Sequence, residues 1–331
     1  MKIIAPSVEL YKQEPGIKGL FRHIERCGRT CYKSEDKITD TSADVFVQNM
    51  INRNHFAMLE HGTVYLIIKI NNSNRRDPVH YPWYRNDAEY SWQEIFGYIQ
   101  KLFITNPYSA VNLVPNEDYT ETIMYITTNF RVIIENHWED IMHEFMCEKP
   151  TINHAIRITL KCTTNIGVTR EGNRMRANSI AEESTRYCNY SNDKFGGEIT
   201  YCAPAWLDIA QLGSHDPHVI CQQVEELLNV GNYKGDELSE LMYLHSLATA
   251  EINYLYLIEH GWKPQQAREV LPLATKSEII YTAFPYQWKH WFDLRLFGTT
   301  GAPHPNMKWL SELAQDVLDE NNLWNLIYPN N

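Results

Sequence analysis

A short segment of this chain, residues 170–190, concentrates side chains that can bind an anion. It reads REGNRMRANSIAEESTRYCNY and contains the arginines Arg170, Arg174, Arg176 and Arg186. A guanidinium group presents a planar set of N–H donors that matches phosphate or carboxylate oxygens in pairs. The whole chain is acidic, with a formal net charge of -11 at pH 7, so this cationic cluster is a local feature. The segment indicates a site for an anionic ligand, although charges of both signs are also typical of a solvated surface.

The chain lacks the glycine-rich loops that hold nucleotide phosphates in the commonest nucleotide-binding folds. Neither GxGxxG after a predicted strand nor GxxxxGK followed by serine or threonine occurs in the sequence. Both loops cradle phosphates with backbone N–H groups, so their absence excludes a Rossmann crevice and a P-loop. A nucleotide bound by this chain must therefore be held by side chains, chiefly those of arginine.

The composition is that of a soluble globular protein. Of the 331 residues, 44% are hydrophobic and 21% are charged, which allows a substantial buried core. The longest apolar run, Val64–Ile70, is too short to cross a membrane and contains Lys69. The N-terminus has no apolar run of signal-peptide length. We therefore expect a cytoplasmic protein with no membrane partner.

The cysteines predict neither disulfides nor a metal site. There are seven, an odd number, and they form no CxxC pair. Cys27 and Cys31 are spaced CxxxC, but no second pair completes a zinc site. We expect reduced, mostly buried thiols. The acidic pI of about 5.6 argues against general nucleic-acid binding, which requires a basic face.

Hydrophobic periodicity predicts the elements that must position the arginine-rich segment. Apolar residues three and four positions apart predict helices over 17–27, 41–54, 93–103, 138–146, 219–228, 237–260 and 306–321. Alternating or β-branched runs predict strands over 63–70, 122–134 and 157–164, with others within 1–16 and before Phe284. The strand over 157–164 leads directly into the arginine-rich segment. A short helix carries Arg268, and a longer one carries His290 and Arg295.

From Arg174 onward the segment follows a longer pattern at fixed spacing. Its members are Arg174, Met175, Arg176, Ser179, Glu182, Ser184, Arg186 and Tyr187. They resemble the motif R-H-R-x-x-S-x-N-E-x-S-x-R-Y of the flavin-dependent thymidylate synthases. Chance agreement at so many fixed positions is rare, so the chain is identified as a member of that family.

Four other segments resemble parts of the same family, in the same order. They are residues 29–35 (RTCYKSE), 59–61 (LEH), 267–278 (AREVLPLATKSE) and 292–295 (FDLR). The resemblance covers most of the chain, and residues 71–155 resemble an insertion found in the longer members. It implies a single domain over residues 1–331 that carries this insertion.

The resemblance implies a mixed α+β fold, with a central, mostly antiparallel sheet and flanking helices. It also implies an enzyme, a methyltransferase that converts dUMP to dTMP. Methylenetetrahydrofolate would donate the carbon, and NADPH would reduce a bound FAD. The family's members are homotetramers with FAD and active sites at subunit interfaces, so a homotetramer is implied here.

The positions that match the family's site residues can be named one by one. The resemblance implies that dUMP is bound by Glu171, Arg174, Ser184, Arg186 and Arg268. It implies that FAD is contacted by His61, Arg174, Arg176, Glu182 and His290. Arg295 matches the arginine that activates the pyrimidine, which gives it the implied catalytic role. No metal is implied.

These residue types suit the implied chemistry. C5 of uracil is a poor nucleophile, and a fixed guanidinium such as Arg295 improves it by stabilising negative charge on the N3–O2 edge. The dUMP phosphate requires two or more arginine side chains, which Arg186 and Arg268 could supply. No cysteine lies in the Pro-Cys-His setting of the cysteine-dependent thymidylate synthases. We therefore expect hydride from flavin, no cysteine nucleophile, and Ser184 as a ligand-binding hydroxyl.

Departures from the motif leave other functions open. Met175 replaces the histidine of R-H-R, Ala181 replaces the asparagine, and Gly172-Asn173 replace two bulky apolar residues. Met175 thus removes a polar group expected beside flavin or folate, and Gly172 adds backbone freedom. The alternative is a divergent homologue that binds nucleotide or flavin but has lost or altered methylation. A third hypothesis is a nucleic-acid-binding protein that uses the arginines and aromatic residues of 75–92.

Overall fold

The computed structural model describes residues 1–71, 103–230 and 235–329. The strands in these ranges are β1 Lys2–Ile4, β2 Ser7–Tyr11, β3 Thr63–Asn71, β4 Ala110–Pro115, β5 Glu121–Asn129, β6 Ile158–Asn165, β7 Ser179–Glu182, β8 Thr200–Cys202, β9 Gly213–Ser214 and β10 Lys276–Ala283. The helices are α1 Gly16–Tyr32, α2 Ser42–Asn52, α3 Phe130–Glu135, α4 Glu139–Phe145, α5 Ile166–Gly172, α6 Pro217–Val230, α7 Gly235–Glu259, α8 Pro264–Ala267, α9 Pro285–Arg295, α10 Pro305–Glu320 and α11 Trp324–Ile327.

Three sheets organise the described part of the chain. The central sheet is antiparallel, with the strand order β2-β6-β10-β7. A second antiparallel sheet has the order β3-β5-β4. A small third sheet has the order β8-β1-β9, with β1 parallel to β8. Helices flank the central sheet, which confirms the predicted mixed α+β fold with mostly antiparallel pairing.

The two faces of the central sheet differ in polarity. Successive side chains of a strand point to opposite faces. Leu160 of β6 and Ile279 of β10 are fully buried in a cluster that includes residues of α9 and α10. Burying such a side chain stabilises the fold by about 1.5–3 kcal/mol. On the other face, the side chains of Thr159 and of His23 in α1 are hydrogen-bonded at 3.2 Å.

The strand predicted over 122–134 is wrong in its second half. β5 ends at Asn129, and Phe130–Glu135 forms α3. The Asn129 side chain accepts a hydrogen bond of 3.0 Å from the backbone N–H of Val132, which caps the first turn of the helix. The apolar, β-branched composition of this segment suits a strand, but the cap and burial on both sides favour a short helix.

The helix predicted over 17–27 continues to Tyr32. It ends because Lys33 takes a left-handed conformation, with φ of 46°. Residues 93–102 of another predicted helix lie outside the described residues, as does the aromatic stretch over 75–92. The single domain with its insertion also stays a prediction.

Two further observations concern membrane helices and thiols. In residues 1–71, 103–230 and 235–329, no helix is both long and apolar enough to cross a bilayer. All seven cysteines carry unpaired thiols. The buried ones are Cys27, Cys31, Cys162, Cys188 and Cys202.

An ionic cluster joins the end of α1 to the central sheet. The carboxylate of Glu278 in β10 accepts hydrogen bonds from Lys33 at 2.9 Å and forms an ion pair with Lys161 at 2.8 Å. The Lys276 ammonium lies 3.3 Å from the same carboxylate. Burial alone would raise the pKa of this carboxyl, but the charges of Lys276 and Lys33 and the hydrogen bonds outweigh burial and lower it to about 2.

This low pKa predicts a specific loss of stability in acid. The ordinary pKa of a glutamate is 4.5. The stability that Glu278 contributes is therefore present above pH 4.5 and is lost as the pH falls through 4.5 toward about 2. We expect the unfolding free energy of the wild type to exceed that of Glu278→Gln by up to about 3 kcal/mol at neutral pH. Denaturant unfolding of both proteins at a series of pH values measures this difference.

Glu35→Gln is the matched control for this prediction. Glu35 contacts the same Lys33 ammonium at 3.1 Å, but 34% of its side chain is exposed. An exposed ion pair contributes about 0–1 kcal/mol. A wild-type advantage over Glu278→Gln that stays constant down to pH 2 would contradict the assignment.

Candidate functional site

The arginine-rich segment begins in α5, which follows directly from β6. The helix starts at Ile166 because the Asn165 side chain accepts a 2.9 Å hydrogen bond from the Val168 N–H. The helix ends at Gly172. The central strand β6 thus fixes the position of α5, which carries Arg170 and Glu171.

Position 172 has room only for glycine, because the Tyr281 side chain lies close to its backbone. A Cβ atom at this position would lie 2.2 Å from the Tyr281 hydroxyl oxygen. Tyr281 belongs to β10 and is fully buried, and its hydroxyl group donates a 3.3 Å hydrogen bond to the Asn173 side chain. The φ of Gly172 does not lie in the left-handed region. Close packing on Tyr281 therefore explains this glycine in the structure, and added backbone freedom at the entry to the motif stays a prediction.

Gly172→Ala is expected to lower the free energy of unfolding by about 1–3 kcal/mol, because the new methyl group overlaps a buried hydroxyl. Thermal or denaturant unfolding measures this loss. Tyr281→Phe in the same chain removes the overlapping oxygen and is expected to restore most of the stability. Gly235→Ala is the matched control, because no atom of the described residues lies within 4 Å of its added Cβ. Equal stability of Gly172→Ala and Gly235→Ala would contradict the packing argument.

A cleft of about 340 Å³ opens beside α5, where three segments of the chain meet. The segments are α5 itself, the end of β7 with the residues that follow it, and the stretch from the turn at Arg268 to the start of β10. Its lining residues are Ile166, Thr169, Arg170, Glu182, Glu183, Ser184, Thr185, Arg268 and Ser277. The cleft therefore brings together three of the predicted site residues, Glu182, Ser184 and Arg268.

The two adjacent glutamates of the motif have different environments. The Glu182 carboxylate accepts hydrogen bonds from the Ser277 hydroxyl at 3.0 Å and from the Asn173 amide at 3.4 Å. It has no cation partner among the described residues and stays partly exposed in the cleft. The Glu183 carboxylate is enclosed, with the Lys276 ammonium at 2.7 Å and the Tyr190 hydroxyl at 3.2 Å. Glu182 is thus available to a ligand, whereas Glu183 is already neutralised.

Two guanidinium groups line the cleft with most of their donors free. Arg268 donates a long hydrogen bond of 3.5 Å to the Thr185 hydroxyl and lies 3.6 Å from the exposed Glu269 carboxylate. The Arg170 guanidinium makes no hydrogen bond or ion pair within the described ranges. Together with the Ser184 and Thr185 hydroxyls, these groups form a set of donors suited to a phosphate or carboxylate.

Arg295 lies against the end of α5 and does not line the cleft. Its guanidinium donates a hydrogen bond of 2.9 Å to the backbone carbonyl of Glu171, and another nitrogen lies 3.6 Å from the Glu171 carboxylate. The Arg295 side chain is 19% exposed. Glu171 and Arg170 are consecutive, but Glu171 contacts Arg295 while Arg170 lines the cleft.

The remaining arginines of the motif are exposed. Arg174 and Arg176 have no side-chain partner in the part of the chain that the structure describes. Arg186 donates a 2.9 Å hydrogen bond to the Tyr187 hydroxyl and lies 4.9 Å from the centre of that ring. None of the three lines the cleft in one chain, so their predicted ligand contacts stay predictions.

Met175 points the opposite way from its arginine neighbours. Its side chain is 6% exposed and belongs to the buried cluster of Trp288 and Phe292. Ala181 is likewise buried, in the cluster under α1. Methionine and alanine at these motif positions therefore serve apolar packing, and in this chain neither position presents a side chain to the cleft.

The two predicted histidines lie away from the cleft. His61 is fully buried, and its Nδ1 lies 2.8 Å from the Thr282 hydroxyl. The pKa of His61 is lowered to about 3, mainly because the side chain is buried and to a smaller extent because His23 and Arg157 lie nearby. Its imidazole is therefore neutral. His290 is exposed on α9.

Several residues that line the cleft or contact its lining are not predicted by the sequence. Ser277 and Asn173 hold the Glu182 carboxylate, and Thr185 contacts Arg268. The sequence places Arg170 in the cationic cluster and predicts no individual role for it. Ser277 carries no local signal, because its position depends on the pairing of β10 with β7.

Residues 135–319 match the sequence model of one protein family, Thy1, which is described as "Thymidylate synthase complementing protein". No match was found among curated proteins.

Several solved structures are similar to the chain. A UMP/dUMP methylase, PolB from Streptomyces cacaoi, bound with 5-Br dUMP, has 13% identity and a TM-score of 0.37, covering 97% of this chain and 93% of that chain. Thymidylate Synthase X from Helicobacter pylori, with FAD and dUMP, has 16% identity and a TM-score of 0.34, covering 51% of this chain and 71% of that one. A further Helicobacter pylori structure, a flavin dependent thymidylate synthase complexed with FAD and dUMP, has 12% identity and a TM-score of 0.35, with 98% of each chain covered.

Proposed function

Since the chain belongs to the thymidylate synthase complementing protein family, as its motif predicted, we propose that it is a flavin-dependent thymidylate synthase. In this proposal it methylates dUMP at C5 to give dTMP. Methylenetetrahydrofolate donates the carbon, NADPH supplies the reducing equivalents, and FAD is the bound cofactor.

The cleft beside α5 is the observation that carries the proposal. It combines the Arg170 and Arg268 guanidinium groups with the Ser184 hydroxyl and the Glu182 carboxylate. Arginine side chains suit the phosphate of a nucleotide, and a carboxylate suits its hydroxyl or imide N–H groups. The volume of about 340 Å³ is within the range of small-molecule sites. A nucleoside monophosphate is a ligand with this combination of groups.

Exposed cationic side chains offer positions at which the phosphates of FAD could bind. Arg174 and Arg176 are exposed and without partners among the described residues, so their guanidinium groups suit the phosphates of FAD. His290 is also exposed and accessible. His61 does not fit a role in direct contact, because its side chain is fully enclosed. Bound reduced flavin would supply hydride for the methylation.

Arg295 is proposed to stabilise negative charge on the pyrimidine. Its hydrogen bond to the Glu171 carbonyl uses one of the five N–H donors of a guanidinium and fixes the plane of the group. A fixed cation costs little reorganisation when charge develops, provided that water is excluded. In one chain Arg295 and the exposed Arg174 and Arg176 do not share a cleft, so we propose that a homotetramer completes the site.

Isotope transfer tests the proposed reaction. The purified protein is incubated with dUMP, FAD, NADPH and methylenetetrahydrofolate that carries ¹³C in its methylene group. The proposal expects dTMP with a ¹³C methyl group, detected by mass spectrometry. Unlabelled dUMP recovered from a folded protein that binds dUMP would instead support the divergent homologue.

The divergent homologue is the second candidate function, and Met175 offers its test. Met175→His places a polar ring in an apolar cluster, so we expect a loss of about 1–3 kcal/mol in unfolding free energy and no gain in turnover. Met175→Leu is the control that conserves volume and is expected to cost less than about 1.5 kcal/mol. A large rise in turnover with Met175→His would favour the divergent homologue.

A further inference from the structure

A second cavity, of about 540 Å³, lies between the start of α1, β2 and β6. It shares no lining residue with the cleft beside α5. Its walls are mainly apolar or aromatic, and they include Tyr11, Tyr65, Ile156, Ile158 and Leu323. The cavity is therefore large enough for a small organic molecule and is lined mostly as such sites are.

A guanidinium without an anionic partner lies at this cavity. Arg157 donates hydrogen bonds to the Glu60 backbone carbonyl at 2.8 Å, the Ser179 hydroxyl at 2.8 Å and the Thr282 carbonyl at 3.4 Å. All three acceptors are neutral. The Glu60 carboxylate is committed to Arg131, at 2.6 Å. No carboxylate of the described residues forms an ion pair with Arg157.

The environment of Arg157 disfavours the charged form of its guanidinium group. Burial lowers the pKa of this guanidinium to about 10, against an ordinary value of 12.5. A buried charge is tolerated when an opposite charge and hydrogen bonds accompany it. The three neutral acceptors leave two of its five N–H donors without a partner among the described residues. Arg157 lines the cavity, so an anion bound there could approach those donors.

The buried groups that line the cavity beside Arg157 add donors but no negative charge. His23 lines the cavity, and its Nε2 lies 3.2 Å from the Thr159 hydroxyl, which also lines it. Burial, followed by the positive charges of Arg157 and Arg26, lowers the pKa of His23 to about 3. Its imidazole is therefore neutral. The exposed charged residues of the lining are two lysines, Lys12 and Lys149, and two glutamates, Glu14 and Glu148, and Glu14 pairs with Arg22 at 3.1 Å.

We propose that this second cavity binds an organic carboxylate with a flat apolar body, whose carboxylate group pairs with Arg157. The apolar walls bury the body of the ligand, and the guanidinium selects its charge. The site is independent of the proposed dUMP cleft.

Binding of 2-naphthoate, measured by isothermal titration calorimetry, tests the proposal. Its neutral isostere 2-naphthamide has the same shape without the charge. We expect saturable binding of 2-naphthoate and at least about tenfold weaker binding of 2-naphthamide, as a lost charge-assisted hydrogen bond implies. Arg157→Lys keeps the charge but loses the planar set of donors, and is expected to weaken 2-naphthoate binding by about tenfold. Arg53→Lys, at an exposed arginine outside the cavity, is the matched control and is expected to change nothing.

Two further measurements keep the test decisive if Arg157→Lys unfolds. Leu323→Trp enlarges a side chain of the cavity wall and is expected to abolish 2-naphthoate binding in a folded protein. A bound anion is expected to raise the pKa of His23, which NMR titration detects. Absence of saturable 2-naphthoate binding, equal affinity for the amide, or undiminished binding to folded Leu323→Trp would overturn the proposal.

Discussion

An Arg295→Ala variant is expected to lose turnover of dUMP by about 10²- to 10³-fold in kcat, as other enzymes do when a fixed donor to a developing anion is removed. Under the proposed function, the physical reason is that negative charge held on the N3–O2 edge of the pyrimidine makes C5 more nucleophilic. Arg295 is held by its 2.9 Å hydrogen bond to the Glu171 carbonyl and can stabilise that charge without moving. Alanine removes both the charge and its fixed orientation.

Three measurements separate this role from a structural one. They are kcat for dTMP formation, the flavin bound per chain, and the midpoint of thermal unfolding. Arg295→Lys keeps a positive charge without the planar donors and is expected to recover only part of the turnover. Lys289→Ala, which removes an exposed cation from the same helix, is the matched control. If Arg295→Ala loses flavin or unfolds, then the contact with α5 is the residue's main contribution.

An Arg268→Ala variant is expected to weaken dUMP binding by about 10- to 100-fold, because a hydrogen bond to a charged group contributes about 1.5–3 kcal/mol. Arg268 has weak protein partners, at 3.5 Å and 3.6 Å, so its donors are available to a phosphate. Calorimetric titration with dUMP, and with deoxyuridine as a ligand without phosphate, measures the effect. The loss is expected for dUMP and not for deoxyuridine.

Glu269→Gln is the matched control for Arg268. It removes the exposed carboxylate beside the Arg268 guanidinium and leaves that cation in place. We expect dUMP affinity that is unchanged or slightly higher, because an exposed ion pair is weak. Unchanged dUMP affinity in Arg268→Ala would mean that the phosphate binds elsewhere, with the exposed Arg174 and Arg176 as the next candidates.

The motif predicted the family, and three of the site residues that it implies lie in one cleft. Glu182, Ser184 and Arg268 lie in one cleft because β7 pairs with β10, and the turn that carries Arg268 precedes β10. The antiparallel fold also followed from the family resemblance. Spacing along the motif could not predict which side each residue faces. Met175 and its arginine neighbours show this, since they lie on opposite sides of the same turn.

The rest of the site depends on contacts between distant parts of the chain. His61 is enclosed because β3 and the central sheet bring it to Thr282, which is 221 residues away in sequence. The sequence pattern predicts Arg157 only as a strand residue. Its guanidinium nevertheless donates hydrogen bonds to three distant residues, Glu60, Ser179 and Thr282. Local sequence patterns carry no information on such pairings, so the enclosure of His61 and the second cavity could not be predicted.

Tritium release from dUMP labelled at C5 tests the central claim most directly. The purified protein is assayed with FAD, NADPH and methylenetetrahydrofolate, and each component is omitted in turn. The account predicts release that requires all three, because methylation at C5 must displace that hydrogen. A folded protein that binds dUMP and flavin but releases no tritium in the complete mixture would contradict it.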